Sequence, residues 1–179
     1  FAQENTTVVK QGDAVRSNPA QDVDPCVNIL TDIDSNTYRI VKIGEQYWMG
    51  ENLKVSHYNT GTPIGRDMGS SRLSPADEGM FAVYDNNDSN NINYGKLYNH
   101  HAVTEGNLCP EGWRVPSAED WQQLIDHAGG MDSCGLKLQS DSATGFCALM
   151  GGMMSPSGLE PYSGMGLQGH WWSSTLVGR

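Results

Sequence analysis

The chain has 179 residues, which is the length of one ordinary domain and short for two. Its formal net charge is -10 and it has no cluster of lysine or arginine, so the composition argues against binding to the phosphate backbone of a nucleic acid. No apolar run approaches 18 residues, so the sequence predicts no membrane span. With 21 glycines, 5 tryptophans and 18% charged residues, the chain is neither disordered nor an Ala/Glu/Lys/Leu-rich helical bundle.

The four cysteines bear on the compartment of the protein. None has zinc-finger spacing, and four cysteines allow three disulfide connectivities. We favour Cys134 with Cys147, which closes a short loop, and Cys26 with Cys109; the alternative is four reduced thiols in a cytoplasmic protein. Few lysines, an acidic balance and many asparagines, glycines and tryptophans favour export. We therefore expect an extracellular or surface-exposed protein whose signal peptide has been removed.

The first part of the chain is polar. Residues 1–25 contain two prolines and show no sustained periodicity, so we interpret them as a tail or linker, although residues 7–9 are able to pair as a short strand. The remaining residues, 26–179, are interpreted as a single domain.

A hairpin is the first clear element of that domain. Residues 37–43 alternate between polar and apolar side chains, and Gly44-Glu45 separates them from the β-rich residues 46–49. A two-residue link that begins with glycine is typical of a type II′ hairpin. Further along the chain, residues 56–78 are predicted to be loop and residues 80–84 a strand.

One helix is clear in the second half of the chain. Residues 118–128 have an apolar face at helical spacing, Ser117 is placed as the N-cap, and Asp120 completes a variant of the capping box. Short strands are predicted at residues 146–149 and 170–174. The sequence therefore predicts an α+β domain with short antiparallel strands, one clear helix and long loops rich in glycine and asparagine.

A series of short motifs occurs in a fixed order between residues 31 and 175. The motifs are Asp32-Ile33-Asp34-Ser35-Asn36, Val41-Lys42-Ile43-Gly44, Glu51-Asn52-Leu53, Tyr94-Gly95-Lys96-Leu97-Tyr98-Asn99, Leu108-Cys109-Pro110-Glu111-Gly112-Trp113-Arg114-Val115-Pro116-Ser117 and Trp171-Trp172-Ser173-Ser174-Thr175. This order resembles the Fibrobacter succinogenes major paralogous domain family, which recurs in surface proteins and lipoproteins of Bacteroidetes-type bacteria. The resemblance implies a C-type-lectin-like fold, and residues 113–121 are similar to a scaffold segment of formylglycine-generating-enzyme-type domains.

The sequence departs from the family pattern at its end. Family members usually continue past the element at residues 171–175 into further strands and a closing cysteine, which pairs with the cysteine at the position of Cys109. The resemblance therefore implies a domain over residues 26–179 that lacks its C-terminal strands, and a partner for Cys109 other than Cys26. An incomplete sheet leaves an open edge, which a strand donated by a neighbouring copy in a filament would cover.

The residue types that catalysis needs do not form a recognisable motif. The five histidines include no HExxH or HxH arrangement, and the adjacent His100 and His101 would face opposite sides of a strand. No GxSxG sequence occurs, and the paired thiols of formylglycine-generating enzymes are not recognisable. Ser174 lies near His170 in sequence, but hydroxyl groups beside tryptophan in a short strand more often bond to the backbone. We therefore expect that the protein is not an enzyme.

Two segments have oxygen ligands that suit calcium. Asp32, Asp34 and Asn36 match the opening of an EF-hand loop, but the later glycine and the closing glutamate are missing, so a hairpin turn is the better interpretation. In the polar turn predicted over residues 85–91, a possible structural calcium site consists of Asp85, Asn87, Asp88 and Asn90. The alternative is that these residues simply form the turn, which aspartate and asparagine favour. No other cofactor is expected.

Aromatic side chains near the end of the chain are the candidates for ligand binding. Trp171 and Trp172 are adjacent, so in a strand one faces the core and the other the opposite surface, where an exposed indole can stack on a sugar ring or anchor a protein partner. Tyr162 and His170 lie beside them in sequence. Residues 151–169, with methionines among glycines, suit an adaptable binding loop. The alternative is that these aromatic side chains only fill the core.

Together these observations predict a non-catalytic, surface-displayed binding or adhesion module that recognises a glycan or a cell-surface protein. The alternative is a structural subunit of a bacterial surface filament or fimbria, in which the same surfaces contact neighbouring copies.

Overall fold

The computed structural model describes residues 4–6, 8–11, 29–68, 77–139, 144–155 and 160–175. Within these residues the strands are β1 (Glu4–Asn5), β2 (Val9–Gln11), β3 (Ile29–Thr31), β4 (Thr37–Ile43), β5 (Gln46–Met49), β6 (Gly65–Arg66), β7 (Met80–Ala82), β8 (Leu97–Tyr98), β9 (Gly151–Met154) and β10 (Tyr162–Met165). The α-helices in the same residues are α1 (Asp88–Tyr94), α2 (His100–Thr104), α3 (Ala118–His127) and α4 (Met131–Gln139). The predicted α+β class is confirmed.

The predicted hairpin is formed by β4 and β5. Ile43 pairs with Gln46, which leaves Gly44 and Glu45 as the two-residue turn. Gly44 has a φ of 60° and Glu45 has no positive φ, as a type II′ turn requires. The hairpin is the centre of a four-stranded sheet with the order β2-β5-β4-β3.

The start of the chain is part of the fold. β1 pairs with β8 at the edge of one sheet, and β2 pairs with β5 at the edge of another. Val8 and Val9 both have no exposed surface. The predicted tail over residues 1–25 therefore contains two strands within its described residues 4–6 and 8–11, and β2 overlaps the short strand considered at residues 7–9. Polar composition conceals these strands, because their partners come from distant parts of the chain.

A second four-stranded sheet has the order β1-β8-β7-β6. Its third strand, β7, covers only the first part of the strand predicted over residues 80–84. The polar turn predicted over residues 85–91 is instead a short 3-10 turn followed by α1. The side chain of Asn87 accepts a hydrogen bond from the backbone N–H of Ser89 and caps α1. An asparagine that was predicted to form a turn therefore begins a helix.

The predicted helix over residues 118–128 is confirmed as α3, and the capping box is complete. The hydroxyl of Ser117 accepts from the backbone N–H of Asp120, and the carboxylate of Asp120 accepts from the backbone N–H of Ser117. The other helices were not predicted. α1 and α2 are short, and Gly135 interrupts the apolar pattern of α4.

Two strands predicted near the end of the chain are not formed. Residues 146–149 are irregular, because Cys147 has a φ of 50°, which no extended strand accommodates. Residues 170–174 also form no strand: Trp171 makes an isolated bridge, and Gly169 makes a single parallel bridge to Gly152. The regular hairpin in this region is formed by β9 and β10.

Buried side chains form two main cores on the two sides of the N-terminal segment. The first core contains Val8, Tyr38, Met49, Leu53, Val55, Tyr58, Ile64, Phe81, Val83, Tyr98, Ala102, Val103, Leu108, Cys109 and Val115. The second core contains Val9, Ile43, Trp48, Leu124, Ala128, Leu138 and Phe146. Consecutive valines of one segment therefore belong to different cores. No helix in the described residues has the length and apolar character needed to cross a bilayer.

The predicted bridge between Cys134 and Cys147 is absent from the described part of the chain. The Sγ of Cys134, in the first turn of α4, donates to the carbonyl oxygen of Met131. The Sγ of Cys147 instead accepts a hydrogen bond from Nη2 of Arg39 at 3.0 Å. The two sulfur atoms therefore have different partners, because the backbone turn at Cys147 brings its thiol to the guanidinium.

Candidate functional site

The two predicted tryptophans are attached to the body of the domain by their indole nitrogens. Nε1 of Trp172 donates to the carbonyl oxygen of Tyr98 at 2.8 Å, and Nε1 of Trp171 donates to Oδ1 of Asn52 at 2.8 Å. The carbonyl oxygen of Trp172 accepts in turn from the indole of Trp121 at 3.1 Å. Both rings are half-buried. These hydrogen bonds anchor the irregular C-terminal segment, and part of each tryptophan stays at the surface.

Tyr162 and His170 occupy other surroundings. The hydroxyl of Tyr162 donates to Oδ1 of Asn86 at 3.2 Å, and its ring packs against Tyr84 with a centroid distance of 5.2 Å. His170 contacts the side chain of Gln168 at 3.3 Å. Tyr162 packs against a small third core, whereas Trp172 packs against the first, so these predicted residues are positioned by different parts of the fold.

The predicted calcium ligands lie in the 3-10 turn and α1, and three of them have protein partners. Asn87 caps α1, Asn90 donates from Nδ2 to the carbonyl oxygen of Tyr84 at 3.0 Å, and Oδ1 of Asp88 accepts from Nη2 of Arg66 at 2.8 Å. Asp85 lies in the same turn with a φ of 53°. In the described residues no group of three or more His, Cys, Asp or Glu side chains is arranged to hold a metal ion. Calcium at this position stays a prediction.

The segment that resembles an EF-hand opening is the turn between β3 and β4, which agrees with the preferred interpretation of these residues as a hairpin turn. Oδ1 of Asp32 accepts from the backbone N–H groups of Asp34 and Asn36, both at 2.9 Å, and Oδ2 accepts from the hydroxyl of Tyr38 at 2.5 Å. Asp32 therefore acts as the fixed centre of a hydrogen-bonded turn.

A polar network continues from this turn to a buried lysine. Oδ1 of Asp34 lies 2.6 Å from Nδ1 of His57. Lys96, which is 6% exposed, donates from Nζ to the carbonyl oxygen of Lys54 at 2.7 Å and to Oγ of Ser56 at 2.5 Å. Burial lowers the pKa of Lys96 to about 8, although the nearby charge of Asp34 opposes the shift. Sequence reasoning missed this network: Asp34 and Lys96 lie in two of the short motifs, but the motifs are far apart in the chain and neither shows that the two side chains meet.

An open cavity of about 420 Å³ lies at one end of the first core. Its floor consists of four buried residues of that core: Val103, Leu108, Cys109 and Val115. Half-buried Trp113 forms a wall, and the exposed rim consists of Thr104, Gly106, Arg114 and Ser174. The cavity thus combines an apolar floor, one large aromatic ring and a few polar groups.

The capping box of α3 fixes the charged part of the rim. Both terminal nitrogens of Arg114 donate to the carboxylate of Asp120, with Nη2 to Oδ1 at 2.8 Å. Gln46 donates to the same carboxylate from Nε2 at 2.9 Å. Burial opposes ionisation of Asp120, but the hydrogen bonds from Arg114 and Ser117 outweigh it, so the pKa of Asp120 lies below its usual range. The guanidinium is therefore held in one orientation beside the cavity.

The thiol in the floor is held in its protonated form near neutral pH. Burial raises the pKa of Cys109 to about 12, and the positive charge of Arg114 offsets only part of this shift. The thiolate is the reactive form of cysteine, so the floor of the cavity presents an apolar, protonated side chain. Cys26, the predicted disulfide partner of Cys109, lies outside the described residues.

The cavity was not identified from sequence. Residues 103–115 and Ser174 are separated by almost sixty positions, and only the motif ending at Ser117 and the motif at residues 171–175 pointed to this part of the fold. The backbone connects these two motifs directly: the N–H of Ser174 donates to the carbonyl oxygen of Pro116 at 2.8 Å.

Comparison with known proteins gives one family. No curated protein and no solved structure matches the chain. The model of the Fibrobacter succinogenes major domain matches residues 41–178. This range contains the whole cavity and all four residues predicted to bind a ligand, and it agrees with the order of motifs in the sequence. The chain belongs to the Fibrobacter succinogenes major domain family.

Proposed function

We propose that the chain is a non-catalytic binding or adhesion module, displayed on a bacterial surface and built on a C-type-lectin-like scaffold, that recognises a glycan or a cell-surface protein. The observation that supports this proposal is the open cavity of about 420 Å³ with its apolar floor and polar rim. Ligand sites are typically concave, roughly 300–1,000 Å³ in volume, and mostly apolar with a few polar groups that set orientation.

The parts of the cavity suit recognition. The half-buried ring of Trp113 offers a flat apolar surface to a sugar ring or to an apolar side chain. Arg114, with its side chain 46% exposed and its orientation set by Asp120, supplies hydrogen-bond donors at the rim. The protonated thiol of Cys109 supplies no nucleophile, which favours binding over covalent chemistry.

The predicted aromatic residues contribute at the edge of this surface. Trp172 packs against the core that forms the cavity floor, and Ser174, two residues further along the chain, lies at the rim. A ligand that extends beyond the cavity would therefore meet the exposed parts of Trp171 and Trp172. Tyr162 and His170 do not line the cavity, so their part in recognition stays a prediction from the sequence.

The test is a glycan and host-protein array with the whole chain, in calcium and in chelator, using two matched variants. Ser174→Trp places a large ring at the rim, whereas Ser163→Trp places the same ring on an exposed position of β10, which does not line the cavity. We expect saturable binding that Ser174→Trp weakens by at least about tenfold and Ser163→Trp leaves unchanged. Absence of binding in both conditions, or equal binding by both variants, would overturn the proposal.

A second candidate function is a structural subunit of a surface filament. It is favoured by the way in which residues 4–11 pair with the edges of two sheets, a contact that one molecule is able to offer another. Size-exclusion chromatography read beside the array separates the candidates: a filament subunit forms concentration-dependent polymers and binds nothing on the array, whereas a binding module shows saturable binding on the array whatever its oligomeric state.

A further inference from the structure

The described residues of the N-terminal segment, 4–6 and 8–11, contribute an edge strand to each of two sheets. β1 pairs with β8, and β2 pairs with β5. Between them the carbonyl oxygen of Thr6 accepts from Leu53 N–H at 2.8 Å, and that of Val8 accepts from Met49 N–H at 3.1 Å. Val9 exchanges two hydrogen bonds with Arg114, at 2.9 and 3.2 Å. All these partners lie between residues 46 and 114, and none is close to the segment in sequence.

The segment is also set apart by the family match. The family model covers residues 41–178, which contain every backbone partner named for residues 4–11, but not the segment itself. We call the groove between β5 and β8, including Leu53 and Arg114, the strand slot. The strand slot thus belongs to the family domain, whereas its occupant comes from outside the matched range.

The strand slot selects its occupant by side chain as well as by backbone. Val8 enters the first core, Val9 enters the second core, and Thr6 between β1 and β2 has no exposed surface. Lys10, the next residue, is exposed. A fitting occupant therefore has a small residue at the position of Thr6, two consecutive apolar residues, and then a polar residue.

The chain length permits this segment to be supplied from two sources. β2 and β3 are the opposite edges of one sheet, so the segment does not pair with the strand that follows it in sequence. Residues 12–28 separate the two strands. Three strand spacings amount to about 14 Å, whereas a chain of this length spans up to about 60 Å when extended. The connection is long enough for the strand slot of the same molecule and for that of a neighbour.

We propose that residues 4–11 are an exchangeable strand and that the strand slot accepts this segment from a second copy of the chain. The identical segment makes the same hydrogen bonds and fills the same two cores, so the two states differ mainly in loop entropy and protein concentration. Donation from one copy to the next is head-to-tail, which builds rings or open chains. The inference rests on the geometry of the segment and is independent of what the cavity binds.

A crosslinking experiment with the full chain tests the proposal. Lys10 and Tyr47 are directly opposite each other in β2 and β5. A chain with Lys10→Cys is mixed with a chain with Tyr47→Cys over a range of concentrations and oxidised, and covalent dimers are measured on a non-reducing gel. The control mixture pairs Lys10→Cys with Lys42→Cys, because Lys42 is the neighbour of Tyr47 on β4, one strand further from the segment.

We expect a mixed dimer that increases with concentration in the first mixture and is at least about fivefold weaker in the control. A chain that carries both Lys10→Cys and Tyr47→Cys reports the pairing within one molecule. If this double variant links internally while the mixture gives no dimer above the control, exchange is excluded. If neither links, the segment does not occupy the strand slot and the proposal is equally overturned. Neither result bears on ligand binding by the cavity.

Discussion

Arg114 and Asp120 form a double hydrogen bond in which one carboxylate serves two purposes. The same carboxylate accepts from the backbone N–H of Ser117 at 2.7 Å and so closes the first turn of α3. The side chain of Asp120 is 3% exposed, whereas that of Arg114 is 46% exposed. A buried anion therefore holds a surface cation at the rim of the cavity and begins a helix at the same time.

Replacing Asp120 by asparagine should destabilise the domain in a pH-dependent way. The folded pKa of Asp120 lies below its usual range, so its contribution is present above the unfolded pKa and is lost as pH falls through the folded value. We expect a loss of about 2–3 kcal/mol at pH 7 and a difference from the parent that shrinks as pH falls through the folded pKa. Urea unfolding at a series of pH values from 7 downwards measures it. Asp126→Asn, on an exposed position of the same helix, is the control and should change little.

Replacing the buried lysine should change how the free energy of unfolding depends on pH above neutrality. The folded pKa of Lys96 is about 8, below the value of an unfolded lysine, so the unfolded chain holds a proton that the folded chain has lost between these values. The contribution of Lys96 to stability therefore rises with pH in this window. Between pH 8 and 10, the free energy of unfolding of Lys96→Met should fall relative to that of the parent by up to about 1.4 kcal/mol per pH unit. If the free energies of unfolding of Lys96→Met and the parent change with pH in the same way, the prediction is wrong. The control is Lys42→Met, at an exposed position, whose free energy of unfolding should follow that of the parent across the same pH range.

The buried thiol of Cys109 should make the free energy of unfolding fall with rising pH, which is the opposite of the effect of Lys96. Burial raises the folded pKa of Cys109 to about 12, so its contribution is complete below the unfolded pKa and is lost as pH rises towards the folded value. Cys109→Ala should cost about 1 kcal/mol at pH 7 through lost packing, and should regain stability relative to the parent above about pH 9. Chemical denaturation from pH 7 to 10 tests the crossover. Val103→Ala, also in the cavity floor, should show a loss that does not vary with pH.

A conservative change in the N-terminal segment should stabilise the protein. Oγ1 of Thr6 is buried and has no hydrogen-bond partner among the residues that the structure describes, and a buried polar atom without a partner carries an uncompensated desolvation cost. Thr6→Val keeps the shape and removes the hydroxyl, so we expect a gain of about 1 kcal/mol in unfolding free energy. Thr6→Asp should instead lose several times that amount. A neutral or negative effect of Thr6→Val would show that the hydroxyl has a partner in solution.

Local signals explain which elements the sequence predicts. The β4–β5 hairpin is specified by alternation and by Gly44, and α3 is specified by Ser117, Asp120 and an apolar face, so each is encoded within about a dozen residues. α2 has only five residues, too few for periodicity to detect. The expected strand at residues 146–149 fails because Cys147 adopts a left-handed backbone conformation, which side-chain alternation does not reveal.

The site was less predictable than the fold, because it depends on contacts between distant segments. Trp113 and Arg114 belong to a motif that sequence reasoning treated as scaffold, and Ser174 reaches them through one backbone hydrogen bond to Pro116. The predicted residues Trp171 and Trp172 are half-exposed, but their indole nitrogens bond within the domain. The partners of these indole nitrogens, Asn52 and Tyr98, are 119 and 74 positions away and leave no pattern in the sequence.

The position of Val8 and Val9 has a consequence for cooperativity. Because neighbouring residues on one backbone fill separate cores, neither core can open without pulling the shared segment from the other. Trp48 and Met49, which are consecutive in β5, join the same two cores, so the two hydrophobic clusters form one unfolding unit. Amide protons of β5 and β8, which lie in different sheets, should exchange with deuterium through the same opening event and with the same free energy.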